Sequence, residues 1–414
     1  MPIADGFLYF TLFLSLFFEV FLLINYFEIK EEVYKDKNSP DSPLSYYPSV
    51  TIIVPCFNEQ NTIMKTIDSL LNLDYPSDKL SLIVVDDGST DNTQETLSAY
   101  NDNPQIRIFS KENGGKYTAL NFALEKTETE LVGCLDADSF VKSCALKKMV
   151  PKFSDPIVMA VTPSIQVFEP KSILQRVQRI EYSWGILFRR VLASINGLYV
   201  TPGPFSIFRT QMLKDIGGYK HAHQTEDMEL ALRMHKNGLK IENAQEATVY
   251  TVAPAKLRGL YKQRVRWTYG FLKNVMDYKH MYFNRKYGTL GFFVLPIATL
   301  SIFTTMYATG NLIWSMGTKG LEAFAKYQAI GFDWGIPKMT WNFYSLDTSV
   351  PWFLTLTIVG LTFVLIYLSL YMANGKARFS RDILYYLSLY MLIVPLWVFK
   401  AVFNTIFSKK VSWR

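Results

Sequence analysis

Four short motifs in the middle of the chain carry acidic, cationic and aromatic side chains. They are Val84-Val85-Asp86-Asp87-Gly88-Ser89, Asp136-Ala137-Asp138, Thr225-Glu226-Asp227 and Gln263-Arg264-Val265-Arg266-Trp267. Carboxylates hold divalent metal ions, and a fixed carboxylate can remove the proton of a hydroxyl group. A guanidinium binds phosphate, and an indole covers the apolar face of a sugar ring. This set of side chains predicts transfer of a sugar from a nucleotide donor to an acceptor hydroxyl.

The elements around these motifs alternate between strand and helix patterns from residue 49 to about residue 285. Runs of branched apolar residues predict strands over 50–54, 80–85, 106–109 and 130–135. Apolar residues at helical spacing predict helices over 60–71, 91–100 and 117–126. The alternation predicts an α/β domain with a mainly parallel sheet. Ligands bind beyond the carboxyl ends of such strands, where both acidic pairs lie, so we expect one site.

Asp136 and Asp138 follow a predicted strand. Two carboxylates at a strand end suit Mg²⁺ or Mn²⁺, which keep open positions for the oxygens of a substrate phosphate. Such an ion neutralises charge that develops on a diphosphate leaving group. An Asp-x-Asp pair alone is common by chance, so the prediction depends on the other motifs. Lys116, after Gly114 and Gly115, offers an ammonium for the same phosphates or is an ordinary surface lysine.

Polar residues also follow the first predicted strand. Pro55, Asn58 and Glu59 lie where side chains can contact a nucleotide base or ribose beside an apolar wall. Asn58 and Glu59 are equally well explained as a turn and a helix cap, and a turn also explains Asp86 and Asp87. The second acidic cluster, fifty residues further along the chain, favours the ligand-binding interpretation.

Thr225, Glu226 and Asp227 precede a segment with apolar residues at helical spacing, residues 227–235. One interpretation is a helix cap, with acidic residues at the positive end of the helix. The other is catalysis, in which Asp227, beside Glu226, removes the proton of an acceptor hydroxyl. Capping and catalysis are compatible, and we expect both acids in the catalytic group.

The last motif lies in a segment with helical spacing, residues 256–269. On a helix Gln263, Arg266 and Trp267 share one face, so a guanidinium that holds diphosphate adjoins an indole that supports a sugar. A basic amphipathic helix on a membrane surface is the competing interpretation. Residues 173–190, with an apolar stripe and arginines elsewhere, fit that interfacial role better.

Apolar segments flank the motifs on both sides. Residues 6–27 contain one charged residue, Glu19, and are long enough to cross about 30 Å of hydrocarbon. Three more apolar segments follow, at 290–314, 352–372 and 383–407, and the last two favour the membrane over a protein core most strongly. The predicted division is a transmembrane helix (1–28), a linker (29–48), a catalytic domain (49–255), interfacial helices (256–288) and a transmembrane region (289–414).

Basic residues predict the orientation. Lysines after the first segment, and Lys376, Arg378 and Arg381 between the last two, predict a cytoplasmic catalytic domain, with the N-terminus and loop 315–351 outside. We therefore expect a multi-pass protein of the plasma membrane. Four simple crossings place the basic tail, residues 409–414, outside as well. Either the last segment is not a plain crossing or the tail departs from the rule.

Composition narrows the partners. The chain has 414 residues, of which 49% are hydrophobic and 15% aromatic, and a formal net charge of +7. No recognised nucleic-acid motif accompanies this charge, so we do not expect the protein to bind nucleic acid. We expect the excess basic residues to face anionic membrane lipid and a diphosphate donor. Cys56, Cys134 and Cys144 lack metal-ligand spacing and a Cys-x-x-Cys pair, which predicts small core residues.

The ordered motifs resemble those of membrane-embedded processive family 2 glycosyltransferases, the group of cellulose, chitin, hyaluronan and poly-N-acetylglucosamine synthases. The resemblance covers Val50 to Tyr269 and implies a GT-A fold. It implies that Asp86 and Asp87 contact the uridine nucleotide and that Asp227 is the base. With the residues above, the expected donor site comprises Pro55, Asn58, Glu59, Asp86, Asp87, Lys116, Asp136, Gln263 and Arg266. The expected catalytic pair is Asp227 and Glu226, the acceptor residue Trp267, and the metal ligands Asp138 and Asp136.

The resemblance also implies the reaction, a single inverting displacement from an α-linked UDP-sugar to a β-linked polysaccharide that passes outward through the membrane helices. Thr225-Glu226-Asp227 is closest to the cellulose and poly-N-acetylglucosamine branches, and no long C-terminal regulatory domain follows, which favours UDP-N-acetylglucosamine as donor. Two alternatives stay open: a non-processive transferase that adds one sugar to a lipid acceptor, and a transporter or scaffold with structural acids. Accessory subunits are also left open.

Overall fold

The computed structural model describes residues 3–38, 46–331 and 349–407. The helices are α1 (Ile3–Asn38), α2 (Ile63–Leu71), α3 (Thr93–Ser98), α4 (Lys116–Glu125), α5 (Ala145–Met149), α6 (Ile173–Ser194), α7 (Thr210–Asp215), α8 (Glu226–Lys236), α9 (Leu257–Asp277), α10 (Leu295–Ile330), α11 (Val350–Asn374) and α12 (Arg381–Ile406). The strands are β1 (Val50–Cys56), β2 (Leu80–Asp86), β3 (Ile106–Ser110), β4 (Leu131–Cys134), β5 (Ser139–Val141), β6 (Val158–Val167), β7 (Ile207–Arg209) and β8 (Lys240–Thr251).

An eight-stranded sheet forms the centre of the domain, in the order β3-β2-β1-β4-β7-β6-β8-β5. Strands β3, β2, β1 and β4 are parallel neighbours, and β6 runs parallel to β8. Strand β7 is antiparallel to both of its neighbours, and β5 is antiparallel to β8. The prediction of an α/β domain with a mainly parallel sheet is confirmed.

Apolar helices cover both faces of the sheet. Successive strand residues point to opposite faces, so Ile52 packs with α2 while Ile53 packs with α4 and α8. Cys56 and Cys134 are buried in these two layers as predicted, whereas Cys144 is half-buried. Strands buried on both faces leave their carboxyl ends as the edge where polar side chains can gather. The first two acidic motifs begin at that edge.

Helix α2 begins at Ile63, three residues later than predicted, and α3 is shorter than its predicted segment. The reason is a turn that joins the two segments. The backbone N–H of Asn58 donates to Ser89 Oγ at 2.9 Å, and that of Glu59 donates to Thr93 Oγ1 at 2.8 Å. Because these bonds fix residues 58–62 against the loop before α3, the helix starts only after them.

Two long helices correct predicted loops. Helix α1 continues to Asn38, so residues 29–38 are helical and not a linker. Helix α10 continues to Ile330, where a loop was expected from residue 315. The α1 extension is rich in Glu and Lys, and the α10 extension contains three alanines; these residue types favour helix. Residues 39–45 of the predicted linker, 332–348 of the loop and the basic tail at 408–414 lie outside the described residues.

Within the described part of the chain, four helical segments are long and apolar enough to cross a membrane, Gly6–Glu31, Leu290–Ala329, Val350–Asn374 and Arg381–Ile406. The apolar stripe of α6, predicted to rest on the membrane surface, is covered by these helices instead. Leu187 packs with Leu22 of α1 and Leu365 of α11. Val177 packs in a cluster with Tyr390 of α12. The stripe thus joins the sheet domain to the long helices.

Helix α9 packs closely on the first turn of α8 because it has a glycine at the contact. A Cβ atom at Gly270 would lie 2.5 Å from Thr225 Cγ2 and closer still to Oγ1. One turn further along, Asn274 Nδ2 donates to Thr225 Oγ1 at 2.8 Å. The start of α8 therefore takes its position from α9.

We predict that Gly270→Ala lowers the free energy of unfolding by about 1–3 kcal/mol, because the added methyl group overpacks this contact. Thermal unfolding of the detergent-purified protein measures the change. Gly259→Ala is the matched control on the same helix, since its Cβ would lie 3.5 Å from Pro254 Cβ, an ordinary contact. Equal stability of the two variants would contradict the close packing described for α8 and α9.

Candidate active site

The turns after β1 and β2 are tied together by the polar residues predicted to bind the nucleotide. Asp86 Oδ1 accepts a hydrogen bond from the Ser89 backbone N–H at 3.0 Å. Asn58 has a left-handed φ of 57° and accepts a hydrogen bond from the Thr90 backbone N–H at 2.8 Å. Pro55 is buried within β1, next to the last residue of the strand. These residues shape the rim at the carboxyl ends of the two strands.

Asp87 organises the loop that leads into α4. It accepts hydrogen bonds from Lys111 Nζ at 2.7 Å and from the backbone N–H groups of Gly114 and Gly115 at 3.1 and 2.8 Å. Gly115 has a φ of +91°, a conformation that favours glycine. Lys116 follows as the first residue of α4. The first acidic motif therefore sets the place of Lys116, although the two are far apart in sequence.

Lys116 joins two of the acidic motifs. Its Nζ atom lies 2.5 Å from Asp136 Oδ1 and 3.7 Å from Glu226 Oε1. The three side chains are 19%, 31% and 12% exposed, in that order. Burial lowers the pKa of Lys116, but the two carboxylates outweigh this effect and leave the pKa above its usual value. Lys116 therefore carries its positive charge at the meeting point of β4, α4 and α8.

Asp138 lies two residues beyond Asp136 in the turn before β5. Burial, followed by the negative charges of Asp136 and Glu59, raises the pKa of Asp138 to about 7. Glu59 follows the neighbouring strand β1, and its Oε2 accepts a hydrogen bond from Thr62 Oγ1 at 2.8 Å. Crowded carboxylates of this kind are stabilised by a nearby cation.

Asp227 lies in the first turn of α8, beside Glu226. Burial and the charge of Glu226 raise the pKa of Asp227 to about 6, while Lys116 and Arg266 act in the opposite direction. The backbone is also held, because Thr201 donates to the Asp227 carbonyl from its N–H at 3.2 Å and from its hydroxyl at 2.9 Å. The backbone of Asp227 is thus fixed, and its carboxylate accepts a hydrogen bond from the Met228 N–H at 2.9 Å.

The segment before α8 is held in an unusual backbone conformation by α9. His223 and Gln224 have φ values of 50° and 67°, which non-glycine residues rarely adopt. Arg266 Nη1 donates to the Gln224 carbonyl at 3.0 Å, and His223 Nε2 lies 2.9 Å from Asp277 Oδ2. These contacts place Arg266 of the last motif close to Asp227 of the third motif.

The remaining residues of the last motif lie along the same helix. Gln263, Arg266 and Trp267 all fall within α9, so the shared helical face is present. Trp267 is 37% exposed, and the guanidinium carbon of Arg264 lies 4.2 Å from the centroid of its ring. Trp267 thus interacts with Arg264 of its own helix, whereas Arg266 reaches the carboxylate of Asp227.

Two features of the site carried no sequence signal strong enough to single out their roles. Gly203 faces the ion pair, since a Cβ atom there would lie 2.8 Å from Lys116 Nζ and 3.2 Å from Asp136 Oδ2. Gly203 belongs to the loop Thr201–Ser206, which none of the four motifs includes. Glu181 binds Arg264, which was read only as part of the last motif. In the sequence, only the two flanking prolines, Pro202 and Pro204, mark Gly203 as unusual.

At this edge of the sheet, Lys116 and Arg266 lie among the carboxylates of the second and third motifs. Lys116 and Arg266 can offset charge on a phosphate, and Asp227 can accept a proton. Asp136 and Asp138 can share a cation with a ligand. Within residues 3–38, 46–331 and 349–407, no set of three or more His, Cys, Asp and Glu side chains is arranged to hold a metal ion. A metal at this edge would therefore need further oxygens from a bound substrate.

Comparison with known proteins gives two kinds of relative. Poly-beta-1,6-N-acetyl-D-glucosamine synthase of Staphylococcus epidermidis is 31% identical over 267 residues, 63% of this chain and 64% of that protein. The protein of the same name from Staphylococcus aureus strain MSSA476 is 32% identical over 267 residues, with the same two shares. The match thus spans less than two thirds of the length of these relatives.

A solved structure shares the fold. The mannosyltransferase PcManGT from Pyrobaculum calidifontis, solved with GDP-Man and Mn²⁺, superposes with a TM-score of 0.58. It is 18% identical and covers 96% of this chain and 99% of its own. At that identity the likeness establishes a GT-A-type fold and nothing further. Residues 51–217 match the description glycosyl transferase family 2. The matched residues run from β1 to just after α7.

Proposed function

We propose that this protein is an inverting membrane glycosyltransferase that polymerises N-acetylglucosamine from a UDP-sugar. The observation that carries the proposal is Lys116, which lies between Asp136 and Glu226 with Asp227 beside it. One cluster therefore contains both a cation for the expected diphosphate, Lys116, and a base for the expected acceptor hydroxyl, Asp227. The names of the relatives from the two Staphylococcus species support N-acetylglucosamine as the sugar and a polysaccharide as the product.

The proposed reaction is one displacement. The acceptor hydroxyl oxygen forms a bond to the anomeric carbon, and the bond from that carbon to the diphosphate oxygen breaks. The acceptor proton passes to a carboxylate oxygen of Asp227, and the electron pair leaves with UDP. With a pKa of about 6, Asp227 is ionised at neutral pH yet basic enough to take a proton in the transition state. Attack from the face opposite the leaving group gives the β-linked product from an α-linked donor.

The two cations have separate tasks in this proposal. Arg266 binds the diphosphate with its planar guanidinium, while its bond to the Gln224 carbonyl keeps it beside Asp227. Lys116 offsets the negative charge that develops on the leaving oxygen. Its carboxylate partners Asp136 and Glu226 hold it in place before the donor binds. Asp86, Asp87, Asn58, Glu59 and Pro55 form the rim proposed to receive the uridine, with Gln263 next to the diphosphate.

The same edge suits a divalent cation. Asp138, with a pKa raised to about 7 by burial and by its acidic neighbours, is in a setting that a cation would relieve. Mg²⁺ and Mn²⁺ bind through one or two carboxylates together with substrate phosphates. We propose Asp138 and Asp136 as the protein ligands. When bound, the ion would supply positive charge to the departing diphosphate.

We further propose that the protein crosses the plasma membrane several times, with the sheet domain in the cytoplasm. The four apolar helices and the basic residues near α11 and α12 support this. UDP-sugars would then reach the site from the cytoplasm. Anionic lipid would face the basic residues near the membrane.

Transfer of radiolabel from a panel of UDP-sugars, with Mg²⁺ or Mn²⁺ and product sizing, tests the function. Label from UDP-N-acetylglucosamine is expected in a ladder or high polymer that β-specific glycosidase digests. Inverted vesicles should use added donor and sealed right-side-out vesicles should not. A single addition to lipid would establish the non-processive alternative, and no transfer with any donor would contradict the proposal.

Asp227→Asn tests the catalytic base. Transfer is expected to fall by about a hundredfold to ten-thousandfold, because the amide cannot take the acceptor proton. UDP affinity, measured by titration calorimetry, is expected to stay unchanged. Asp74→Asn is the matched control, an exposed aspartate 61% accessible in a surface ion pair.

The unaltered enzyme gives a second readout of the same residue. Its rate should fall as the pH drops through about 6, since protonation removes the base. Burial sets this pKa first, and the charged groups around Asp227 that adjust it are Glu226, Lys116 and Arg266. Retained transfer by Asp227→Asn, or loss of UDP binding with it, would show that another group is the base.

Asp138→Asn tests the metal. Mn²⁺ is expected to tighten UDP binding to the unaltered protein, and the variant should need at least about tenfold more Mn²⁺ for the same gain. Titration calorimetry of UDP binding with and without Mn²⁺ measures this Mn²⁺ dependence without requiring sugar transfer. Asp155→Asn, at a side chain 42% exposed, is the control. An unchanged Mn²⁺ requirement in Asp138→Asn would exclude Asp138 as a ligand.

A further inference from the structure

Arg264, in the centre of the last motif, is buried and paired with a different helix. Its Nη2 atom lies 2.6 Å from Glu181 Oε2 of α6. The Arg264 side chain is 6% exposed and that of Glu181 is 26% exposed. A charge this deeply buried is stable only with a well-placed partner. The pair therefore fixes the orientation of α9 relative to α6 at one point.

A third helix joins the pair. The hydroxyl of Tyr390, in α12, donates a hydrogen bond to the same Glu181 Oε2 atom. The Tyr390 ring packs on Tyr386 and Trp397 of its own helix, with ring centroids 4.9 and 5.9 Å apart. Val177 of α6 and Leu260 of α9 belong to the same apolar cluster as Tyr390. The Glu181 carboxylate thus links Arg264 to α12, a helix long enough to cross the membrane.

Arg264 also contacts the ring of Trp267. Its guanidinium carbon lies 4.2 Å from the Trp267 ring centroid, within the range of a cation–π interaction. Trp267 is 37% exposed, so part of the residue faces solvent, and the Arg264 contact restrains its ring. Arg266, the next cation along, points elsewhere and binds the Gln224 carbonyl. The two arginines of the motif therefore have different tasks.

We propose that Arg264 is a positioning residue that holds the Trp267 indole for the acceptor sugar and is itself held by Glu181 and Tyr390. The inference rests on the proposed function, in which Trp267 borders the acceptor. Changes along Tyr390, Glu181 and Arg264 should alter acceptor use and leave donor binding intact. The membrane helix α12 thereby takes part in acceptor selection from outside the site.

Arg264→Lys separates positioning from charge. Lysine keeps the positive charge that Glu181 needs but loses the planar group that stacks on an indole. We expect about a fivefold rise in the KM for a β-1,6-linked N-acetylglucosamine oligosaccharide, with the UDP affinity unchanged. The same substitution in a Trp267→Ala background should have no further effect on that KM, because the residue through which Arg264 acts is gone.

Tyr390→Phe provides a test that leaves Arg264 in place. It removes the hydroxyl bonded to Glu181 and keeps the ring packing, so a smaller rise in acceptor KM is expected. Tyr385→Phe is the matched control on the same helix, because the Tyr385 side chain is 36% exposed and lies outside the apolar cluster that contains Tyr390. UDP binding by each variant verifies that the site is folded.

The outcomes separate this inference from the proposed function. A rise in acceptor KM for Arg264→Lys and Tyr390→Phe that disappears without Trp267 supports the positioning role. Equal effects with and without Trp267, or effects on UDP affinity instead, overturn it while transfer by the unaltered protein still upholds the function. Absence of transfer by the unaltered protein overturns both.

Discussion

The ion pair of Lys116 with Asp136, extended to Glu226, is the interaction on which the rest of the site depends. Acids from a β4 turn and from the start of α8 would repel one another without a cation between them. Lys116 is placed there by the loop that Asp87 holds, and Gly203 leaves room for it. One charged side chain thus brings together two motifs that are far apart in sequence, and a third motif, through Asp87, holds that side chain in place. A donor diphosphate and its cation would meet this preformed charge distribution without prior reorganisation.

The second constraint is the close packing of α9 against the segment that carries Asp227. Gly270 allows the helices to touch, Asn274 and Arg266 bond to the backbone and side chains before α8, and Arg264 ties the helix to α6. The unusual backbone at His223 and Gln224 persists because these contacts over-determine it. The position of Asp227, the proposed base, therefore depends on α9, the helix that carries Trp267, the proposed acceptor-binding residue.

Much of this follows from the sequence because strand patterns and strand ends are local signals. The succession of strands, the α/β class and the presence of both acidic pairs at strand ends follow from periodicity and parallel-sheet geometry. The partners of Lys116 do not, because an exposed and a buried lysine look alike in one sequence. The continuation of α1 to Asn38 was missed because charged residues suggest both a linker and a good helix. The Glu181–Arg264–Tyr390 contacts join residues that only the packing of three helices brings together.

The most direct measurement of the central claim is the structure of the protein with UDP-N-acetylglucosamine and Mn²⁺ bound, in an Asp227→Asn variant that retains the donor. The account predicts the diphosphate at the edge formed by Asp138, Lys116 and Arg266, with the uracil towards Asp86 and the anomeric carbon facing residue 227. A nucleotide bound elsewhere, with Lys116 still paired to Asp136 and Glu226 and remote from phosphate, would contradict it.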